Sequence, residues 1–243
     1  MPQKLNILFI HGIVGNSDIF NFLLPHIPPH HNVRFLNLAG HGSDALAFSR
    51  TSMKEWRHQV AEAVEEMSAS GPLAVVAHSM GCLLALEQTD KGKIDRLFLL
   101  NPPMRIHVRW QMIANAFKVM TRRHQTDPVA TAARKAYGIS LDPNPLHYYG
   151  WPARYLELFR YISKIRKLTP HLPHPSYAFL AAHDEMVSPT SQKWFTPHPS
   201  LTSPTPHPIA TPPHPITTLL LPTSTHYYYS PTDQTLLTRH LTH

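Results

Sequence analysis

Four apolar runs of strand length, at residues 5–10, 33–38, 73–77 and 97–100, alternate with helical patterns at 17–27, 52–67 and 80–88. In the second of these patterns Met53, Trp56, Val60, Ala63, Val64 and Met67 recur at threes and fours, which gives the helix one apolar face. A chain that alternates strand and helix in this way must join its strands by crossovers. Crossovers build a parallel sheet with helices on both faces. The expected class is therefore α/β.

The pattern changes after residue 101. From 102 to 170 three helical patterns follow, near 108–123, 129–137 and 153–168, with no convincing strand between them. This reads as a helical lid inserted in the sheet. Strand and helix then resume at 176–182 and 188–195. Nine prolines lie between 196 and 222, and no Asp, Glu, Lys or Arg occurs from Trp194 through Thr232. Proline deletes ladder donors and fixes φ, so 196–215 reads as an extended Pro/Thr/His-rich loop. A last strand at 216–221 and a closing helix at 231–241 complete the chain. The expected organisation is a core over 1–101, a cap over 102–170 and a second part of the core over 171–243. A length of 243 residues suits one domain with an insertion. A chain of this size buries enough apolar surface to hold together without disulfides, and its single cysteine, Cys82, excludes an intramolecular one. The N-terminal apolar run is too short for an export signal and no run is long enough to span a bilayer, so a soluble cytoplasmic protein is expected.

Ala77-His78-Ser79-Met80-Gly81 carries the most chemistry. It follows one apolar run and opens a helix, the strand-turn-helix context of a nucleophile elbow. The elbow needs small residues two before and two after the serine, because strand and helix approach closely there. Gly81 meets that need, and Ala77 stands where glycine is usual. Two backbone N–H groups should form an oxyanion hole: that of Met80, directly after the nucleophile, and that of Ile13, freed by the turn at His11-Gly12.

Gly40-His41-Gly42 follows the second apolar run. With His11-Gly12 and the elbow, this order resembles the α/β-hydrolase superfamily, and more narrowly its carboxylesterase and monoacylglycerol-lipase-like members with an inserted helical cap. The resemblance covers 5–101, resumes over 176–190 and returns around His226. It implies a minimal, mostly parallel six-stranded sheet. Asn37 departs from the family's usual Asp-x-x-Gly-His-Gly, at a position that is structural there.

The same resemblance implies the order Ser, acid, His. Asp184, in Ala181-Ala182-His183-Asp184-Glu185-Met186-Val187, matches the family's Asp-x-x-Val loop after a strand. Its neighbour Glu185 points differently. Asp95 precedes its strand, and Asp233 comes after the candidate histidine. Among 19 histidines position must decide, and His226 follows the last strand. His198, His207 and His214 fall in the proline-rich loop, and His41 and His78 read as packing or turn residues. The implied triad is Ser79, Asp184 and His226, with His226 as the base and Asp184 fixing its tautomer.

No His-Glu-x-x-His or comparable spacing occurs, so neither a metal nor another cofactor is expected. The segment 102–170 holds 12 Lys and Arg against 3 Asp and Glu, so the net charge of +7 belongs to the cap. That charge suits an anionic lipid surface or an anionic acyl carrier such as coenzyme A, while a solvated helix face is the simpler reading. No nucleic-acid motif accompanies it. Trp110, Met112, Phe117, Met120, Tyr148, Tyr149, Trp151, Tyr155, Leu158 and Phe159 supply an inner apolar face for the cap. The expected partner is a small acyl ester, cleaved through an acyl-enzyme. A thioesterase and a non-catalytic ligand-binding homologue are the alternatives.

Overall fold

The computed structural model describes residues 4–107, 109, 127–140, 142–168, 172–173, 175–195 and 216–241. The helical pattern near 108–123 and the loop 196–215 lie outside the described residues. Six strands form one sheet: β1 (Asn6–Ile10), β2 (Asn32–Leu36), β3 (Leu73–His78), β4 (Arg96–Leu100), β5 (Ser176–Ala181) and β6 (Thr217–Leu221). The spatial order is β2-β1-β3-β4-β5-β6, and every neighbouring pair is parallel.

The apolar runs are continuous because both faces of the sheet are covered. Side chains alternate across a strand. Leu8 and Ile10 of β1, Val75 and Ala77 of β3 and Leu97 and Leu99 of β4 share one core. Ile7 and Phe9, Ala74 and Val76, and Phe98 and Leu100 share the other. The first core is closed by α2 (Met53–Ala69), α3 (Met80–Gln88) and α5 (Trp151–Ile165), which follow a short α1 (Ala45–Ser49) and α4 (Pro128–Ala136) in chain order. The second is closed by α6 (Pro231–Leu241) and by Ile19, Phe20 and Leu23.

Ser52 caps α2 by accepting the Glu55 amide at 3.2 Å, in a Ser-x-x-Glu sequence typical of helix starts. Its stripe buries Trp56 completely, and the indole N–H donates to the Ala39 carbonyl at 2.9 Å. In α5, within the segment read as a cap, Leu158, Tyr161, Ile162 and Ile165 are buried in the same core as α2 and α3.

Three readings from the sequence need correction. Residues 17–27 form two short 3-10 turns, Ser17–Phe20 and Leu24–His26, rather than one helix. Pro25 and Pro28 lack the N–H that a continuing helix requires, and Asn16 caps only the first turn. The stretch 188–195 is likewise a 3-10 helix, Pro189–Trp194. Of the residues assigned to an inner face of the cap, Tyr149 and Phe159 are exposed, at 64% and 49%. Phe159 lies outside the buried stripe of α5 formed by Leu158, Tyr161, Ile162 and Ile165.

Candidate active site

The strand order reverses at β1, whose neighbours are β2 on one side and β3 on the other. In an open parallel sheet the crevice at the carboxyl ends of such strands is the natural ligand site. Gly12 and Ile13 follow β1 there, and Ser79 follows β3.

Ser79 sits between β3 and α3 with φ 51° and ψ −120°, a conformation that costs a non-glycine residue on the order of 1–3 kcal/mol. The packing enforces it. A β-carbon on Gly81 would run into the Ile10 carbonyl, so α3 leaves the strand ends only at this sharp angle. The Ser79 amide donates to the Leu100 carbonyl at 2.9 Å, which anchors the turn to β4.

Ser79, His226, His78, Gly12, Ile13, Ala136 and Tyr227 all line one small pocket. Met80 heads α3, so its N–H has no carbonyl one turn back within the helix, while its side chain is buried in the core. Ile13 precedes Val14, which is held at φ 50°, an outlier for a β-branched residue. His41 Nε2 accepts the Val14 amide at 3.0 Å, and the Val14 carbonyl accepts from the Gly138 amide at 2.8 Å.

Asp184 and His226 lie together behind the pocket, each 1% exposed. Asp184 Oδ2 accepts from His226 Nδ1 at 2.7 Å. Its Oδ1 accepts the amides of Met186 and Val187 at 2.7 and 2.6 Å. Burial works against the His226 imidazolium, but the charge and hydrogen bond of Asp184, helped by Glu185, outweigh it and move the pKa above 6.5. With Nδ1 engaged, Nε2 is left to serve the pocket. Among the described residues no hydrogen bond joins Ser79 to His226, and bonds of this kind tighten when substrate is bound.

Asp95 and Asp233 have other duties. Asp95 Oδ2 accepts the Leu73 amide at 2.7 Å, at the far end of the sheet, and Asp233 Oδ2 accepts from Ser224 Oγ at 2.7 Å in the loop after β6. Asn37 Nδ2 donates to the His41 carbonyl at 3.0 Å, which makes it a brace for the Gly40-His41-Gly42 turn.

Several groups that support the site carry no signal of their own in the sequence. His107 Nε2 donates to the Asp184 carbonyl at 3.0 Å, and the residues around it pair with the acid loop through an Ile106–Val187 bridge. Asn101, at φ 51°, accepts the Ala181 amide at 2.8 Å and directs its Nδ2 toward Tyr229 Oη and the His226 carbonyl at 3.3 and 3.4 Å. Among the described residues no group of three or more His, Cys, Asp or Glu is placed to hold a metal ion, and no helix is long and apolar enough to cross a membrane.

A strained serine after β3, with an acid and a histidine after β5 and β6, is the arrangement of a hydrolase built on a parallel sheet. The chain belongs to the alpha/beta hydrolase family, whose model matches residues 7–241. No curated protein matches the sequence. Solved structures share the fold at low identity. One is from LipS and LipT, two metagenome-derived lipolytic enzymes, at 17% identity and TM-score 0.66, covering 98% of this chain and 92% of that one. The monoglyceride lipase of Saccharomyces cerevisiae follows at 14% and 0.65, covering 100% and 86%. The RedJ thioesterase of Streptomyces coelicolor is similar at 20% and 0.56, covering 98% and 84%.

Proposed function

We propose that the chain is a cytoplasmic serine hydrolase that cleaves small carboxylic esters through an acyl-enzyme. Ser79 Oγ attacks the ester carbonyl and His226 Nε2 takes its proton. The amides of Ile13 and Met80 receive the oxyanion. Collapse of the tetrahedral intermediate expels the alcohol, which takes the proton back from His226, and water then repeats the sequence on the acyl-serine. The observation that carries this reading is the buried Asp184–His226 pair, whose histidine shares a pocket with a serine held at positive φ. Residues 102–170 would act as the cap over that pocket.

A second reading, a hydrolase of acyl thioesters on an anionic carrier, is favoured by the 12 Lys and Arg against 3 Asp and Glu in 102–170. A thioesterase among the structural neighbours is consistent with it.

Hydrolysis of p-nitrophenyl esters from acetyl to palmitoyl, by wild type and Ser79→Ala, tests the proposal. Loss of activity in a folded Ser79→Ala supports it, and the chain-length optimum gives the pocket depth. Activity surviving in the variant removes Ser79 as nucleophile. No turnover by wild type on esters, with turnover on acyl-coenzyme A, selects the thioesterase. Binding without turnover on either selects a non-catalytic homologue.

A further inference from the structure

Besides Asn101 Nδ2, which lies 3.4 Å from its carbonyl, the main chain of His226 is gripped from both sides by the sequence neighbours of Ser79 and Asp184. Its N–H donates to Glu185 Oε2 at 3.1 Å, and its carbonyl accepts from His78 Nε2 at 3.0 Å. Both holders are buried, at 3% and 2% exposure. The end of β3 and the turn after it thus supply a pair that both line the pocket, of which Ser79 is the nucleophile in this reading and His78 meets the His226 backbone. The acid loop holds a matching pair, of which Asp184 meets the imidazole and Glu185 the backbone.

Building on the serine-hydrolase reading, we propose that Glu185 and His78 are positioning residues for His226, fixing its backbone so that its imidazole is presented to Ser79 from a rigid base. His226 lies on a connection between β6 and α6, and a histidine on a loop swings with its backbone. A misplacement of about 1 Å between reacting groups costs on the order of a hundredfold in rate. Asp184 can orient the ring only if the Cα of His226 is already fixed. The two clamps do this without using a ring nitrogen. Each also ties the base to the segment that carries another member of the triad, so the three move as one body.

The chemistry of the holders fits the task. A buried carboxylate is costly unless it receives hydrogen bonds, and a charge-assisted bond to an amide is stronger than a neutral one. His78 donates through Nε2 to a carbonyl, which fixes its tautomer. Burial first, then the nearness of His226, keeps its pKa well below 6.5, so it stays a neutral donor while His226 titrates. The titratable groups facing His226 are Asp184 and Glu185 from the acid loop, His78 from β3 and Tyr227 from its own loop, whose ring lies 4.7 Å from the imidazole.

The test uses the full chain with Glu185→Gln, Glu185→Ala, His78→Gln and His78→Phe. It measures kcat and KM on p-nitrophenyl acetate against pH, and the NMR titration of the His226 imidazole. Glu185→Ala and His78→Phe should lower kcat by about 10- to 100-fold with KM within about twofold. His78→Gln, which retains a donor, should recover most of the loss. Glu185→Gln retains an acceptor and should keep most of kcat, but it removes a negative charge beside the imidazolium, so the acid limb and the His226 titration should both move to lower pH. A glutamate too far from the imidazole to hold its backbone would not move them. Wild-type kcat in both truncations overturns the proposal. If the truncations do not fold, an unmoved His226 titration in Glu185→Gln overturns it alone. Failure of the hydrolase reading looks different: wild type then shows neither turnover nor Ser79 labelling by a fluorophosphonate, while the NMR titration still decides the clamp.

Discussion

A β-carbon placed on Gly12 would stand 2.9 Å from Ser79 Cβ. The loop after β1, which carries Ile13, and the turn after β3, which carries Ser79, are therefore separated by no more than a missing methyl group. In Gly12→Ala one of them must retreat. The expected result is a fall in kcat of about a hundredfold, the scale of one lost oxyanion donor, with KM little changed. Steady-state kinetics on p-nitrophenyl acetate checks it, and a kcat within twofold of wild type would show that Ile13 is no oxyanion donor.

The Asp184–His226 pair predicts how activity and stability respond to pH. Activity requires the neutral imidazole, so kcat/KM should rise with pH through an acid limb whose midpoint lies above 6.5. Asp184→Asn should move that limb down and lower kcat by about 10⁴-fold, because the tautomer is no longer fixed. Stability runs the other way. A histidine whose folded pKa is raised contributes stability that is fully present below its unfolded value and lost as pH rises through its folded one. Asp184→Asn should therefore destabilise the protein more at pH 6 than at pH 9. Urea denaturation at the two pH values measures this, and equal losses would mean that the pair carries no charge.

The inner strands were legible because a strand buried on both faces writes itself as an unbroken apolar run, and Ala74, Val75, Val76 and Ala77 of β3 are all core. The serine turn was legible because Gly81 marks a close approach that tolerates little else. Helix and 3-10 turn were not separable at 17–27, since Ile19, Phe20 and Leu23 suit either and only Pro25 and Pro28 decide. α1 spans a single turn, too short to show periodicity. Glu185 and His78 were hidden by their neighbours. Beside Asp184 and Ser79 each looks incidental, and a bond to the backbone of a residue so distant in sequence leaves no pattern.

Together with His78, the buried histidines His11 and His41 beneath the site should make the protein acid-labile well above the carboxylate range. Burial lowers the His11 pKa to about 4 and, with a further contribution from His11, that of His41 to about 3. Their neutral forms are also needed as acceptors: His11 Nε2 takes the Leu38 amide at 3.2 Å, and His41 Nε2 takes that of Val14. Between pH 6.5 and about 4 the unfolded chain binds protons that the folded chain refuses, so stability falls as pH falls, by on the order of 1.4 kcal/mol per unit for each histidine. Urea midpoints at pH 7 and pH 5 should differ accordingly. A His41→Gln variant, whose side chain offers an uncharged acceptor, should show a shallower slope, and an unchanged slope would remove His41 as a cause.

The segment 136–140 holds the loop that carries Ile13. Asn16 donates to the Ala136 carbonyl at 3.1 Å, Gly138 to that of Val14 at 2.8 Å, and Gly42 to that of Gly138 at 2.6 Å. These bonds hold Val14 at its positive φ. They leave no room for a side chain at Gly138, whose β-carbon would collide with the Gly15 carbonyl. Backbone meets backbone there, so no rotamer change can relieve the contact. Gly138→Ala should cost about 1–3 kcal/mol of stability, the usual range for overpacking, and should also lower kcat by about tenfold or more, because the strain is relieved by moving the Ile13 amide. Thermal melts and kinetics on the same preparation separate the two effects. A variant with a lowered Tm but wild-type kcat would show that this segment stabilises the fold without shaping the oxyanion site.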